Sequence, residues 1–476
     1  MKKSPAFLTI LLFALLFLLS CSNEYYDSID RGEGYNYRPG YPELRLAATG
    51  YVNEEDETNI IVSGDIVYGS LVYSDRDDVF KAEVIIEIQI SKVNEYKRVT
   101  IVARDEFTET ITSENERIIY SQDVFTFEKE FSIAPGLYNV QVSVVDKSSG
   151  QQSIRSARTE LPDPEDDNSH ITEIRILGKK SSDQESSFKP ATTYDIPSSY
   201  DSLRFVFQVT NNDPDKPIEL ESQLIRFRSD TSIARPINFN NYSPSSISYL
   251  GIDYNDYEVI QSSKRELNQP GSVIIEFGFK DLKRGNYRLE VSSTQGNESE
   301  IFKGRDFSIK SANYPSLKTA RELAKPLYYI MTNKEYEQIM AINNADSLKK
   351  AIDRFWLSNI QNSSTAKNVI SLYYERVEEA NKQFSNFKEG WKTDPGMIYI
   401  LFGPPWYSDI ISKQMYWSYS YNREDPEKNF VFNQTKLNSK FYPFNNFILE
   451  RSNYYYTIQA QQIERWRTGL ILNYNL

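Results

Sequence analysis

Apolar and polar positions along the chain follow two different periods. From Glu43 onward, AEVIIEIQI, RVTIVARD and GLYNVQVSVVD alternate apolar with polar residues between turn signals, the period of half-buried strands. Val84, Ile86, Ile88 and Ile90 fall on one face, while Glu83, Glu87 and Gln89 lie largely on the other. No helical stretch interrupts these strands, which predicts an antiparallel β-sandwich of immunoglobulin-like size over residues 43–161. HITEIRILGK, DSLRFVFQVTN, IELESQLIRFRSD, GSVIIEFGF and GNYRLEVSS predict a second sandwich over 169–310. The two blocks echo each other: Gly136, Tyr138, Val140, Val142 and Ser143 match Gly285, Tyr287, Leu289, Val291 and Ser292. Each tyrosine is expected to tie a corner through its hydroxyl rather than to stack on a ligand, because the alternation buries it.

At Pro315 the period changes to that of helices, opening an α+β unit over 315–476. Leu348, Ile352, Phe355 and Trp356 share one helical face, as do Val369, Leu372, Tyr373, Arg376, Val377, Ala380 and Phe384. Residues 389–405, EGWKTDPGMIYILFGPP, follow the last of these helices. Gly390 is placed where a left-handed helix exit is wanted, and Trp391 is expected to fold back on Phe355, Trp356 and Phe384. Asp394, Pro395 and Gly396 read as a turn, and Met397 to Phe402 as a strand buried on both sides that Gly403, Pro404 and Pro405 end. In that reading Asp394 accepts the free main-chain N–H groups of the turn, Thr393 helps, and Arg376 pairs with the carboxylate.

The chain opens with MKKSPAFLTILLFALLFLLSC: a basic head, a short apolar core, and a cysteine where small residues end that core. This stretch resembles the lipobox of bacterial lipoproteins. The resemblance implies cleavage after residue 20, acylation of Cys21 with chains of the palmitate type, and anchoring to membrane lipid without spanning it. Residues 21–42 lack either period and read as a tether of up to about 65 Å when fully extended. Ser22, rather than an aspartate, argues against retention in an inner membrane. The expected address is therefore the outer membrane, on its periplasmic or its surface side.

Composition then narrows the chemistry. With 476 residues, several domains are expected. A net charge of −12 with no Lys/Arg cluster makes nucleic acid an unsuitable partner. Cys21 and His170 are the single cysteine and the single histidine, so neither an internal disulfide nor a cysteine-histidine zinc site can be assembled within the chain. His170 ends the acidic stretch LPDPEDDNSH, just past the hinge at 162–168, and reads as a solvated linker residue rather than a general base. The acids at 163–167 and 53–58 suit calcium in type alone, and a solvated linker is preferred; no cofactor or metal is expected.

The helical unit carries a second resemblance. Phe355 and Trp356, then Tyr373, Tyr374, Glu375, Arg376 and Val377, then Gly390, Trp391, Lys392, Thr393, Asp394 and Gly396, then the run through Phe402, Gly403 and Pro404, look like the GWxTD-domain family. Trp417, Tyr419, Phe430 and Phe432 resemble its later aromatic strands. The resemblance covers the last third of the chain and implies a bacterial exported or envelope protein, with no activity attached. Where the family usually carries a basic residue this chain has Pro395, so no cationic site is implied there. The preferred reading is a non-enzymatic scaffold or interaction lipoprotein with an envelope protein as partner. Two alternatives stand beside it: glycan binding by the aromatic stretch 406–421, and a carboxylate hydrolase using Asp394 with Asp409 or Glu389.

Overall fold

The structure, a computed structural model, describes residues 40–93, 99–164, 169–180, 187–211, 217–238, 251–295, 299–420, 428–435 and 444–473. The leader, Cys21 and the tether up to residue 39 lie outside the described residues, as do residues 165–168 of the acidic hinge.

The first unit is built from β1 (Leu44–Val52), β2 (Thr58–Val67), β3 (Ser74–Arg76), β4 (Val79–Val93), β5 (Val99–Ser113), β6 (Val124–Ser132), β7 (Gly136–Asp146) and β8 (Gln152–Leu161). They form two antiparallel sheets, β1-β2-β6 and β3-β4-β7-β8, with β5 also on β4. The register sets Ile86 opposite Val144, Ile88 opposite Val142 and Ile90 opposite Val140, and all six are fully buried. Ile60, Val62 and Ile66 meet them from the other sheet to complete one core. The alternation thus places side chains where the sequence predicts, because a period of two leaves one register that buries this set.

The second unit comprises β9 (His170–Ile171), β10 (Arg175–Lys179), β11 (Lys189–Pro190), β12 (Asp195–Pro197), β13 (Ser202–Asn211), β14 (Ile218–Ser229), β15 (Ile252–Leu267), β16 (Gly271–Lys280), β17 (Gly285–Gln295) and β18 (Ser299–Lys310). One sheet runs β11-β10-β13-β16 with β9 on β13; the other runs β12-β18-β17-β14-β15. The expectation of purely antiparallel pairing needs one correction, since β12 and β18 are parallel over three residues. His170 is a second correction. It is not a solvated linker residue but pairs with Thr210 at the rim of a sheet, half-buried. Tyr138 donates to the Ala134 carbonyl at 2.6 Å and Tyr287 to the Lys283 carbonyl at 2.6 Å. The sequence echo is therefore one structural device used twice, a buried ring anchored four residues back.

The third unit carries α1 (Ala320–Ala324), α2 (Asn333–Met340), α3 (Ala345–Asn359), α4 (Ser363–Phe384), α5 (Asp394–Phe402) and α6 (Tyr455–Thr468). Four short strands, β19 (Tyr407–Ile411), β20 (Gln414–Ser418), β21 (Asn429–Gln434) and β22 (Phe447–Leu449), form an antiparallel sheet in that order. The main correction lies in α5: Met397 to Phe402 form a helix, not a strand. An apolar run without a polar partner position does not distinguish the two periods. The ends decide: the Thr393 hydroxyl accepts the Gly396 N–H at 3.1 Å as an N-cap, Pro395 sits in the first turn, and Gly403 closes the helix at φ 83°. The helix is buried all round, between α4, β22 and α6.

Candidate functional site

The corner that begins α5 is built by close approach. Gly390 does not take the left-handed conformation; it starts a single 3-10 turn, Gly390–Lys392, after α4 has ended at Phe384. Its lack of a side chain is needed because a Cβ there would stand 1.9 Å from the Ala380 carbonyl oxygen. Gly396 is tight for the same reason, with a Cβ falling 1.9 Å from the Gly390 oxygen. Trp391 is buried in the same core as Phe355, Trp356 and Phe384, and the ring it pairs with is that of Tyr329, edge-on at 6.3 Å. Trp356 lies in the core between Phe355 and Tyr373.

Asp394 departs from expectation in its partners. Arg451 grips it from both terminal guanidinium nitrogens, at 2.7 Å to each carboxylate oxygen, and the Leu449 N–H donates at 2.8 Å. The pair is shielded, with the Arg451 side chain 2% and the Asp394 side chain 10% exposed. Arg376 instead reaches the Ile400 carbonyl at 3.4 Å and lies over the Trp466 ring, with Gly403 against its guanidinium. No sequence signal marks Arg451, which follows Asp394 by 57 positions; only the packing of β22 beside α5 brings it in. Pro404 is exposed beyond the helix end, while the Gly403 carbonyl accepts the Tyr419 hydroxyl at 2.7 Å.

The acids nominated as catalytic partners are committed elsewhere. Glu389 accepts Arg284 at 2.5 Å and the Trp391 indole N–H at 3.1 Å, with Lys392 at 3.2 Å. Burial alone would raise its carboxyl, yet Lys392 and Arg284 outweigh that effect and bring it to about 2. Asp409 accepts the Tyr407 hydroxyl at 2.9 Å. Burial, with Asp394 nearby, keeps the Tyr329 hydroxyl protonated well above its ordinary range, and it donates to the Trp391 carbonyl at 2.7 Å. Two cavities that touch Thr393, one of them lined by Asp394 as well, measure about 30 Å³ each, room for about one water. In the aromatic stretch 406–421, Trp417 and Tyr419 are core residues, Trp406, Tyr407 and Tyr416 are half-buried, and Tyr421 lies outside the described residues. Among the described residues no acid, histidine or cysteine cluster could hold a metal ion, and no helix is long and apolar enough to cross a membrane.

The corner is joined to the second unit through β17 and β18. Asn286 donates to the Phe387 carbonyl at 2.8 Å, and Lys310 to the Asn386 carbonyl at 2.5 Å while paired with buried Asp195 at 3.2 Å. Tyr314 donates to the Asn381 carbonyl at 2.9 Å. The family model for the GWxTD domain matches residues 285–468.

This region is a GWxTD domain. Its match begins where β17 begins, so the two strands that hold residues 386 and 387 fall inside it. No curated protein sequence matches the chain. Among solved structures, the chain is similar to red sea bream transglutaminase at 10% identity and a TM-score of 0.19, over 58% of this chain and 32% of that one. It is also similar to Salmonella alpha-2-macroglobulin reacted with methylamine at 15% identity and a TM-score of 0.19, over 59% of this chain and 17% of that one. The chain thus spans under a third of the length of either.

Proposed function

We propose that this protein is a non-enzymatic envelope lipoprotein, held on a bacterial outer membrane through acylated Cys21, whose GWxTD domain serves as a scaffold or protein-interaction module. Two β units, which we read as immunoglobulin-like sandwiches over 43–161 and 169–310, stand between the anchor and that domain, which takes up the rest of the chain from about residue 315. The paired tyrosine corners favour this reading of the β units.

The observation that carries the functional reading is the commitment of Asp394. Both its oxygens accept from Arg451 or the Leu449 N–H, and the cavity that Asp394 helps to line holds only about 30 Å³, too little for a substrate. A general base needs a reacting proton within hydrogen-bond reach, and this group faces donors that hold it charged. The test is crosslinking in intact cells with fractionation. Wild type is expected in the outer-membrane fraction crosslinked to another envelope protein, and Cys21→Ala in the soluble fraction. A wild-type chain recovered soluble and uncrosslinked would sink the proposal.

A further inference from the structure

The segment that follows β14 leaves its own unit and enters the GWxTD domain. Ala234 and Ile237 belong to the core formed by that domain's helices, Ile237 being fully buried, and Ile233 packs against the same core. The main chain of the segment is held as closely as its side chains. Arg451 donates to the Arg235 carbonyl at 3.1 Å and to the Pro236 carbonyl at 3.2 Å. The Tyr329 hydroxyl lies beside the Ala234 main chain. Lys388 donates to the Ser232 carbonyl at 2.9 Å and pairs with Asp230 at 3.1 Å. The Arg235 side chain points outward and is exposed.

We propose that this corner is a receptor for the main chain of an extended peptide, and that the protein fills it with its own residues 230–237. The proposal deepens the interaction reading of the GWxTD domain by naming its ligand class: an extended polypeptide with a small residue followed, three positions later, by an aliphatic one. Contacts to main-chain groups do not read side chains, so selectivity rests on the two buried positions and on the acid that pairs with Lys388. Proline fits between them because no contact uses an N–H at residue 236, and its fixed φ pre-orders the segment.

The motif residues act as positioning groups behind the contacts. The Trp391 carbonyl orients the Tyr329 hydroxyl, and the Asp394 carboxylate orients Arg451 across two hydrogen bonds. The GWxTD match includes Tyr329, Lys388, Trp391, Asp394 and Arg451 and excludes residues 230–237. Receptor and occupant therefore belong to separate units of sequence. A tethered occupant competes at high effective concentration, so a free peptide enters only when the resident segment is weakened.

The experiment uses the purified full chain and a fluorescent peptide of residues 229–238, read by anisotropy. Ile237→Ser weakens the resident segment and is expected to bind the peptide about tenfold more tightly than wild type does. Adding Arg451→Lys, which retains the charge and loses the forked geometry, should reverse that gain. Ile237→Val covers the case in which the serine variant fails to fold. The peptide should also raise the melting midpoint of the weakened chain and leave wild type unmoved. Equal binding to wild type and both Ile237 variants, or binding indifferent to Arg451→Lys, would overturn the proposal. Capture of an envelope partner in cells with no peptide binding would overturn the ligand class alone, whereas peptide binding with no partner in cells would count against the wider reading.

Discussion

Asp394→Asn is the substitution that most directly probes the corner. Three donors converge on the two carboxylate oxygens, and an asparagine offers one acceptor oxygen and an amide that itself donates. At least one donor is then left facing another, and the Arg451 guanidinium becomes a buried cation without its counter-charge. Removing one partner of a buried pair costs about 3–5 kcal/mol, and the retained amide oxygen places this case near the lower end, about 3 kcal/mol. For a unit of this size about 1 kcal/mol moves the midpoint by roughly 2–4 °C, so a fall of about 6–12 °C is expected. The assay is selective by construction: Trp356, Trp391, Trp406, Trp417 and Trp466 are the five tryptophans of the chain, and all lie in the GWxTD domain. Tryptophan emission during heating therefore follows that domain and not the β units before it. Asp409→Asn is the matched control, a half-buried acid bonded to one tyrosine, expected to shift the melt by less than about 2 °C. If Asp394→Asn melted with wild type, the carboxylate would not be what holds Arg451, and the structural account of the motif would fail.

Gly390→Ala should destabilise the same melt by about 3 kcal/mol or prevent folding, since the Ala380 carbonyl and the chain at Asn381 leave no room for a methyl group; normal stability would show that α4 and the 3-10 turn can part. Glu389 has a folded-state value of about 2 against an ordinary 4.5, so its contribution is complete above about pH 4.5 and is lost as the pH falls towards 2. Wild type should thus be more stable than Glu389→Gln by about 3 kcal/mol at neutral pH and equal to it near pH 2, and a gap that persists in acid would contradict the assigned cause. Tyr287→Phe should cost about 1–2 kcal/mol in urea unfolding followed by circular dichroism, because the Lys283 carbonyl loses its donor inside a packed corner; no change would reduce the corner to a packing contact.

The sequence located the helices α3 and α4 from their apolar faces, and Leu348, Ile352, Phe355, Trp356, Val369, Tyr373 and Val377 are buried as that periodicity requires. It misassigned α5 because its six consecutive apolar residues satisfy either period, although Thr393 before the run and Gly403 after it already carried the cap chemistry of a helix. Gly390 was correctly singled out for the wrong reason: the sequence shows that a residue is small, while only the approach of Ala380 shows why. The sequence reading pairs Asp394 with Arg376, whereas in the structure its partner is Arg451.

What the sequence by itself determined is local: strand alternation, helix faces, cap and turn residues, and the two tyrosines that repeat four residues after their carbonyl partners. These depend on neighbours within a turn or two, so the order of residues contains them. What only the tertiary structure decided is which distant groups meet. Asp394 finds a partner 57 positions away, Glu43 meets Lys382 at 3.1 Å across 339, and Ile237 enters a core made by residues that begin some ninety positions later. Such pairings follow from how whole units pack, which the burial of many side chains settles together, and no short stretch of sequence records the outcome.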